Sequence, residues 1–160
     1  MFFKKLSITI LLAAVLMAPT GVLRAQTESE LAVTRTGLQA DRQAVVAANL
    51  PMTEAEAAAF WPVYRAYREE MALIGDKVVQ TITTYAKSYV DASVTEEQSV
   101  ALTKDYLKLR KAAIELKEKY VSRFAKVLPG RSVMRFYQIE NKLDAVMDVA
   151  VMAEIPLVEQ

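Results

Sequence analysis

The chain contains no cysteine and no histidine among its 160 residues, and only four glycines. Without cysteine there are no disulfides, no thiol nucleophiles, no thiolate metal sites and no acylated-cysteine lipoprotein anchor. Without histidine, Ser-His-Asp and Cys-His triads and imidazole-ligated metal centres cannot be built. Gly21, Gly37, Gly75 and Gly130 stand far apart and form neither GxGxxG nor GxxxxGK[ST], so a glycine-rich phosphate cradle is also missing. No segment alternates polar and apolar residues as a half-buried strand does. Most common enzyme chemistries are thereby removed. The chain is read as a non-enzyme with no catalytic residue, no cofactor and no metal ligand.

What remains is 53% hydrophobic and 24% charged, the composition of one ordered domain. Residues 1–25 are set apart from it. Met1 to Lys5 is a short basic start, Leu6 to Ala18 a stretch dominated by apolar residues, and Pro19, Gly21 and Ala25 a helix-breaking run ending in a small residue. This is the layout of a signal peptide cleaved near Ala25, which implies export to the periplasm. The apolar stretch is shorter than the roughly 20 residues a membrane-spanning helix needs, so no stable anchor is expected after cleavage. Removing Lys4, Lys5 and Arg24 leaves 17 basic groups against 19 acidic ones in residues 26–160. A mildly acidic domain argues against nucleic acid as a partner.

Long 3.6-residue periodicities predict an all-α domain of four helices. The first is expected over Glu28 to Ala48, with Leu31, Leu38 and Val45 seven apart and Gly37 weakening it, and stops near Asn49, Leu50 and Pro51. Thr53 and Glu56 form a capping box that opens the second. Its apolar seam runs Phe60, Tyr64, Tyr67, Met71, Ile74, Val78, Ile82 and Tyr85, with Pro62 expected to kink or split it. Thr95 and Gln98 form a second box after the turn-like Val90-Asp91-Ala92-Ser93. The seam that follows is Leu102, Tyr106, Leu109, Ala113, Leu116, Tyr120, Phe124 and Val127, ending at Pro129-Gly130. Two seams of matched length joined by a short turn imply a long antiparallel helical hairpin. A last helix from about Ser132 to Ala153 carries Phe136, Ile139, Leu143, Val146, Met147 and Ala150 on one face.

Three groups of residues stand off these seams. Lys104, Lys108, Lys111, Lys119 and Lys126 share one arc of about 80° on the third helix, at 100° per residue. Eight basic and three acidic residues lie between 104 and 126. Such an arc is either a solvated face or an electrostatic docking surface for an acidic or unfolded partner. Trp61, Leu73 and Val79 place apolar side chains where an outer face should be polar, as do Val149, Val151, Met152, Ile155, Leu157 and Val158 near the C-terminus. A helix end so apolar buries itself in the domain, in a second copy or in a client. Finally, Glu140, Asp144 and Asp148 repeat every four residues, a ladder that repels itself unless Arg135 or the basic third helix offsets it.

The segments Met52-Thr53-Glu54-Ala55-Glu56 and Val94-Thr95-Glu96-Glu97-Gln98 are similar to the two Leu-Thr-x-x-Gln motifs of the Spy/CpxP family of periplasmic proteins. Both copies lack the Leu, and the first also lacks the Gln. Val127-Leu128-Pro129 and Arg135-Phe136-Tyr137-Gln138-Ile139-Glu140-Asn141-Lys142-Leu143 resemble a divergent branch of the same family, over roughly residues 50–155. The resemblance implies a curved hairpin that dimerises into a cradle and holds unfolded proteins without ATP, on a basic and partly apolar face. It also implies a second role seen in some relatives, binding of an envelope-stress sensor. The expected function is accordingly an ATP-independent periplasmic chaperone for unfolded or partly folded envelope proteins, or alternatively an envelope-stress signalling adaptor. The homodimer is a partner that the resemblance implies, and the candidate client-binding residues are the five lysines with Trp61, Leu73 and Val79.

Overall fold

A computed structural model describes residues 41–158, all of whose regular elements are helices. Helix α1 covers 41–49, α2 Glu54–Val90, α3 Glu96–Phe124 and α4 Gly130–Ala153. Residues from Arg42 onward form one compact unit. The signal peptide expected over residues 1–25, and the part of the first helix before residue 41, lie outside the described residues. No described helix is long and apolar enough to cross a membrane.

The start of α2 follows from its first four residues. The Thr53 hydroxyl accepts from the Glu56 amide, and the Glu56 carboxylate accepts in return from the Thr53 amide at 2.8 Å and its hydroxyl at 2.9 Å. These bonds hold the Glu56 carboxyl below its ordinary pKa. Thr95 does only half as much for α3. Its hydroxyl accepts from the Gln98 amide, but the Gln98 side chain reaches away and donates to Ser88 Oγ at 2.6 Å. The expected second box is therefore a single cap, and Gln98 instead ties α3 to the last turn of α2. The turn between them passes through Ala92 at φ 48°, a left-handed conformation costing a non-glycine residue roughly 1 kcal/mol.

Two other expectations change. Helix α2 runs unbroken through Pro62, which lies exposed on the side opposite the seam. The carbonyl four residues earlier loses its amide partner at that position, but it does so on the solvent side, and the seam keeps its phase. Helix α3 ends at Phe124 rather than at Pro129-Gly130, and residues 125–128 turn the chain. Gly130 is the first residue of α4, with Pro129 as its N-cap.

Contacts between α2 and α3 descend on one as they ascend on the other. Ser88 meets Gln98, Glu70 meets Lys119 and Tyr120, and the Phe60 ring lies 5.5 Å from Phe124. The two helices thus lie side by side and antiparallel. Every seam residue of both is buried or half-buried.

Full burial, however, is confined to one end. Phe60, Tyr64 and Tyr67 of α2, Leu116, Tyr120 and Phe124 of α3, and Val133 and Phe136 of α4 form the core, joined by Leu128, Val46 and Leu50. Phe136 sits among the rings, 4.5 Å from Phe124, 5.4 Å from Phe60 and 6.1 Å from Tyr67. Such edge-to-face and tilted pairs contribute about 0.5–1.5 kcal/mol each beyond their buried area. Val146 and Ala150, expected on the buried face of α4, are exposed, because α4 has left the aromatic cluster by that point.

Candidate binding surface

The acidic ladder of α4 is an internal tie. Glu140 is fully buried, and its carboxylate accepts from Arg42 Nε at 3.1 Å and Nη2 at 3.2 Å and from Arg68 Nη1 at 3.4 Å. Arg42 also donates to the Glu140 carbonyl and to Asp144. Lys117 donates to Asp144 at 2.7 Å and to Asn141 at 3.0 Å, and Arg110 grips both oxygens of Asp148. The basic third helix supplies part of the offset foreseen from sequence, but Arg135 does not; it donates instead to the Asn49 carbonyl at 2.6 Å. Arg42 and Arg68, which sequence reading passed over, do the rest.

Titration follows from this packing. Burial works against the charge of Arg42, yet Glu140 and Asp144 more than offset it and raise its pKa. Burial works against the Asp144 carboxylate too, and Lys117 and Arg42 outweigh it, holding the group below its usual 3.8. Burial and the nearby Glu140 charge push the Tyr64 and Tyr137 phenols up to about 12 and Tyr67 higher still. The Tyr64 and Tyr67 hydroxyls are buried without a hydrogen-bond partner. Among the described residues no cluster of acidic side chains is placed to hold a metal ion. The ladder carboxylates face arginine and lysine instead.

The outer face of α3 is different in character. Lys104 and Lys108 are exposed, and Lys111 is exposed with a long 3.7 Å approach to Glu115, whereas Lys126 is exposed in the turn after α3 and so lies off the helical arc expected for it. Lys119 is tied down by a 2.6 Å bond to Glu70 and lies over the Tyr120 ring. Glu70 also accepts from the Tyr120 hydroxyl at 2.7 Å, and the bonds from Lys119 and Tyr120 lower its pKa. Lys119 therefore belongs to the α2–α3 contact rather than to an open arc.

Beside these lysines lies a stripe that the sequence reading did not single out. Val100, Leu107, Ile114 and Val121 are 53%, 60%, 58% and 44% exposed. They recur every seven residues, so they lie along one line of α3, drifting only about 20° per repeat. Their seven-residue spacing is legible in the sequence, where the longer and more strongly apolar seam of the same helix dominates the pattern. On the other flank of the lysines, Leu73 is exposed above a shallow groove of about 360 Å³ formed with Ile74, Ala112 and Leu116. Val79 is exposed farther along α2.

Trp61 does not join this surface. It is half-buried, edge-on to Phe60 at 5.0 Å and to Tyr64 at 5.4 Å, as part of the aromatic core. At the C-terminus Val149, Val151, Met152, Leu157 and Val158 are exposed and only Ile155 is half-buried, so the described residues do not bury that helix end. The Tyr85 hydroxyl donates to the Pro156 carbonyl and draws the chain after α4 back to α2.

No known protein family, curated protein or solved structure matches this chain.

Proposed function

We propose that this chain is an exported, ATP-independent chaperone-like protein of the Spy/CpxP kind, holding unfolded or partly folded envelope proteins without covalent chemistry. One observation carries the reading: the outer face of α3 sets four exposed aliphatic side chains beside exposed Lys104, Lys108 and Lys111. Lysines at that density draw acidic segments to the surface, and the attraction is screened over about 8 Å at physiological ionic strength. Aliphatic contacts then contribute roughly 1 kcal/mol or somewhat more for each side chain that a client covers. Binding of that strength is reversible on its own, so release needs no nucleotide.

The test is light scattering of a chemically unfolded, acidic client diluted into buffer with and without the purified protein. Aggregation is expected to slow without nucleotide, and to slow less as salt rises. Reversing Lys104, Lys108 and Lys111 together to Glu should weaken the effect while leaving helix content intact. Lys119 is left out because its bond to Glu70 makes its loss a folding perturbation. No suppression for several unrelated clients, together with tight binding of one folded envelope protein, replaces this reading with a signalling adaptor.

A further inference from the structure

We infer that the Val100–Leu107–Ile114–Val121 stripe is built to receive an acidic amphipathic helix, so that the segments held on this face are helical rather than extended. The inference rests on the reading that the outer face of α3 holds a partner, and it names the form that partner takes.

The geometry distinguishes the two forms. At 1.5 Å per residue the four anchors stand about 10.5 Å apart and together span about 31 Å. A helix bearing an apolar residue at every seventh position repeats at the same pitch, and two such helices wrap gently to follow the 20° drift. All four anchors are then filled by one face of the partner. An extended chain advances about 3.3 Å per residue and alternates sides, so its third residue reaches the next anchor pointing the wrong way. Such a chain fills only alternate anchors.

Charge selects the partner's flank. Lys104 and Lys111 lie within about 40° of the line through Val100, with Lys108 one step farther round on the same side, and all three are exposed. A helix seated on the stripe presents its own flanking residues to them, and Glu or Asp there forms interhelical pairs of the kind that set partner choice in coiled coils. Glu96 and Glu97 at one end of the stripe and Glu115 and Glu118 toward the other bracket these lysines, so the acidic flank of the partner belongs opposite residues 104–111.

Three labelled synthetic peptides of about 25 residues test this by fluorescence anisotropy with the purified protein. One has Leu at every seventh position and Glu on the flanks, a second has Lys in place of Glu, and a third is the first with its residues shuffled so that the leucines no longer align. The first is expected to bind at least tenfold more tightly than either of the others. Leu107→Ser with Ile114→Ser should weaken it at least tenfold with unchanged melting temperature, since both residues are exposed. Lys104, Lys108 and Lys111 changed together to Glu should turn the preference toward the Lys peptide. Equal binding of the shuffled peptide overturns the inference and leaves a holder of extended chains. So does concentration-dependent self-association that Leu107→Ser and Ile114→Ser abolish while no peptide binds, which gives the stripe to a second copy. Helix binding with no suppression of aggregation sinks the chaperone reading instead and keeps this one.

Discussion

Between Phe60 and Tyr67 every seam residue of α2 is fully buried, whereas from Met71 to Tyr85 the same seam, at the same spacing, is only half-buried throughout. The facing helix repeats the contrast: Leu116, Tyr120 and Phe124 are buried, and Leu102, Tyr106, Leu109 and Ala113 are half-buried. Two helices alone cover one stripe of each other and leave its edges wet. Complete burial needs a third surface, and α4 supplies it at one end by inserting Phe136 among the rings of its neighbours. Periodicity therefore marks the inward face of a helix, and the number of neighbours decides how dry that face becomes. Exposed aliphatic residues are not confined to the end with fewer neighbours: Leu73, Val79, Val100 and Leu107 lie there, but Ile114 and Val121 carry the outer stripe of α3 on toward the dry end.

The contrast is sharpest for large-to-small substitutions. Phe124→Ala removes a ring packed against Phe60, Tyr67, Tyr120, Phe136 and Tyr137, and should cost about 3–5 kcal/mol in urea denaturation. Glu140→Gln leaves Arg42 and Arg68 facing a neutral group in a buried site, for an expected loss of about 3 kcal/mol. An unchanged stability there would mean that the tie between α1 and α4 rests on Val46, Leu50 and the bonds that do not use the Glu140 carboxylate, from Arg42 to Asp144 and from Arg135 to the Asn49 carbonyl.

Acid should act on the same end. The pKa of Asp144 is lowered in the folded chain, so its ion pairs with Lys117 and Arg42 contribute fully above the unfolded value. That contribution is lost as pH falls from the ordinary carboxylate value of 3.8 through the folded one. Asp144→Asn should be less stable at pH 7 by about 1 kcal/mol, and the difference from the parent should shrink toward zero near pH 2. A gap that stays constant with pH would assign the loss to packing rather than to charge.

Smaller effects belong to the other end. Leu109 lies on the seam but is half-buried, so Leu109→Ala should cost about 1–2 kcal/mol, less than a fully buried leucine. Lys111→Ala, on the exposed face, should stay within about 0.5 kcal/mol. Equal losses for Phe124→Ala and Leu109→Ala would erase the distinction between the two ends.

Much of this architecture was legible before any coordinates. The Thr53 cap, both seams and the exposure of Lys104, Lys108, Lys111, Leu73 and Val79 follow from local spacing, because a helix fixes which residues share a face whatever packs against it. Trp61 was misassigned because a ring on the flank of a seam can swing inward once other rings are there to meet it. Gln98 was misassigned because its better partner, Ser88, is adjacent only when the two helices are side by side.

Glu140 shows where local reading stops. It lies four residues beyond Phe136 and so on nearly the same face, a clue that it points inward, yet a carboxylate is buried only where cations arrive to meet it. Those cations are Arg42 and Arg68, 98 and 72 residues away along the chain. The sequence by itself determined the helices, their inward faces and the spacing of the outer stripe, all of which depend on residues within a few turns. Only the tertiary structure decided which end of the seam is dry, which charges are buried and that the flanking Trp61 packs inward. Each of those depends on how many surfaces converge on a side chain, and that number is set by contacts between segments far apart in the chain.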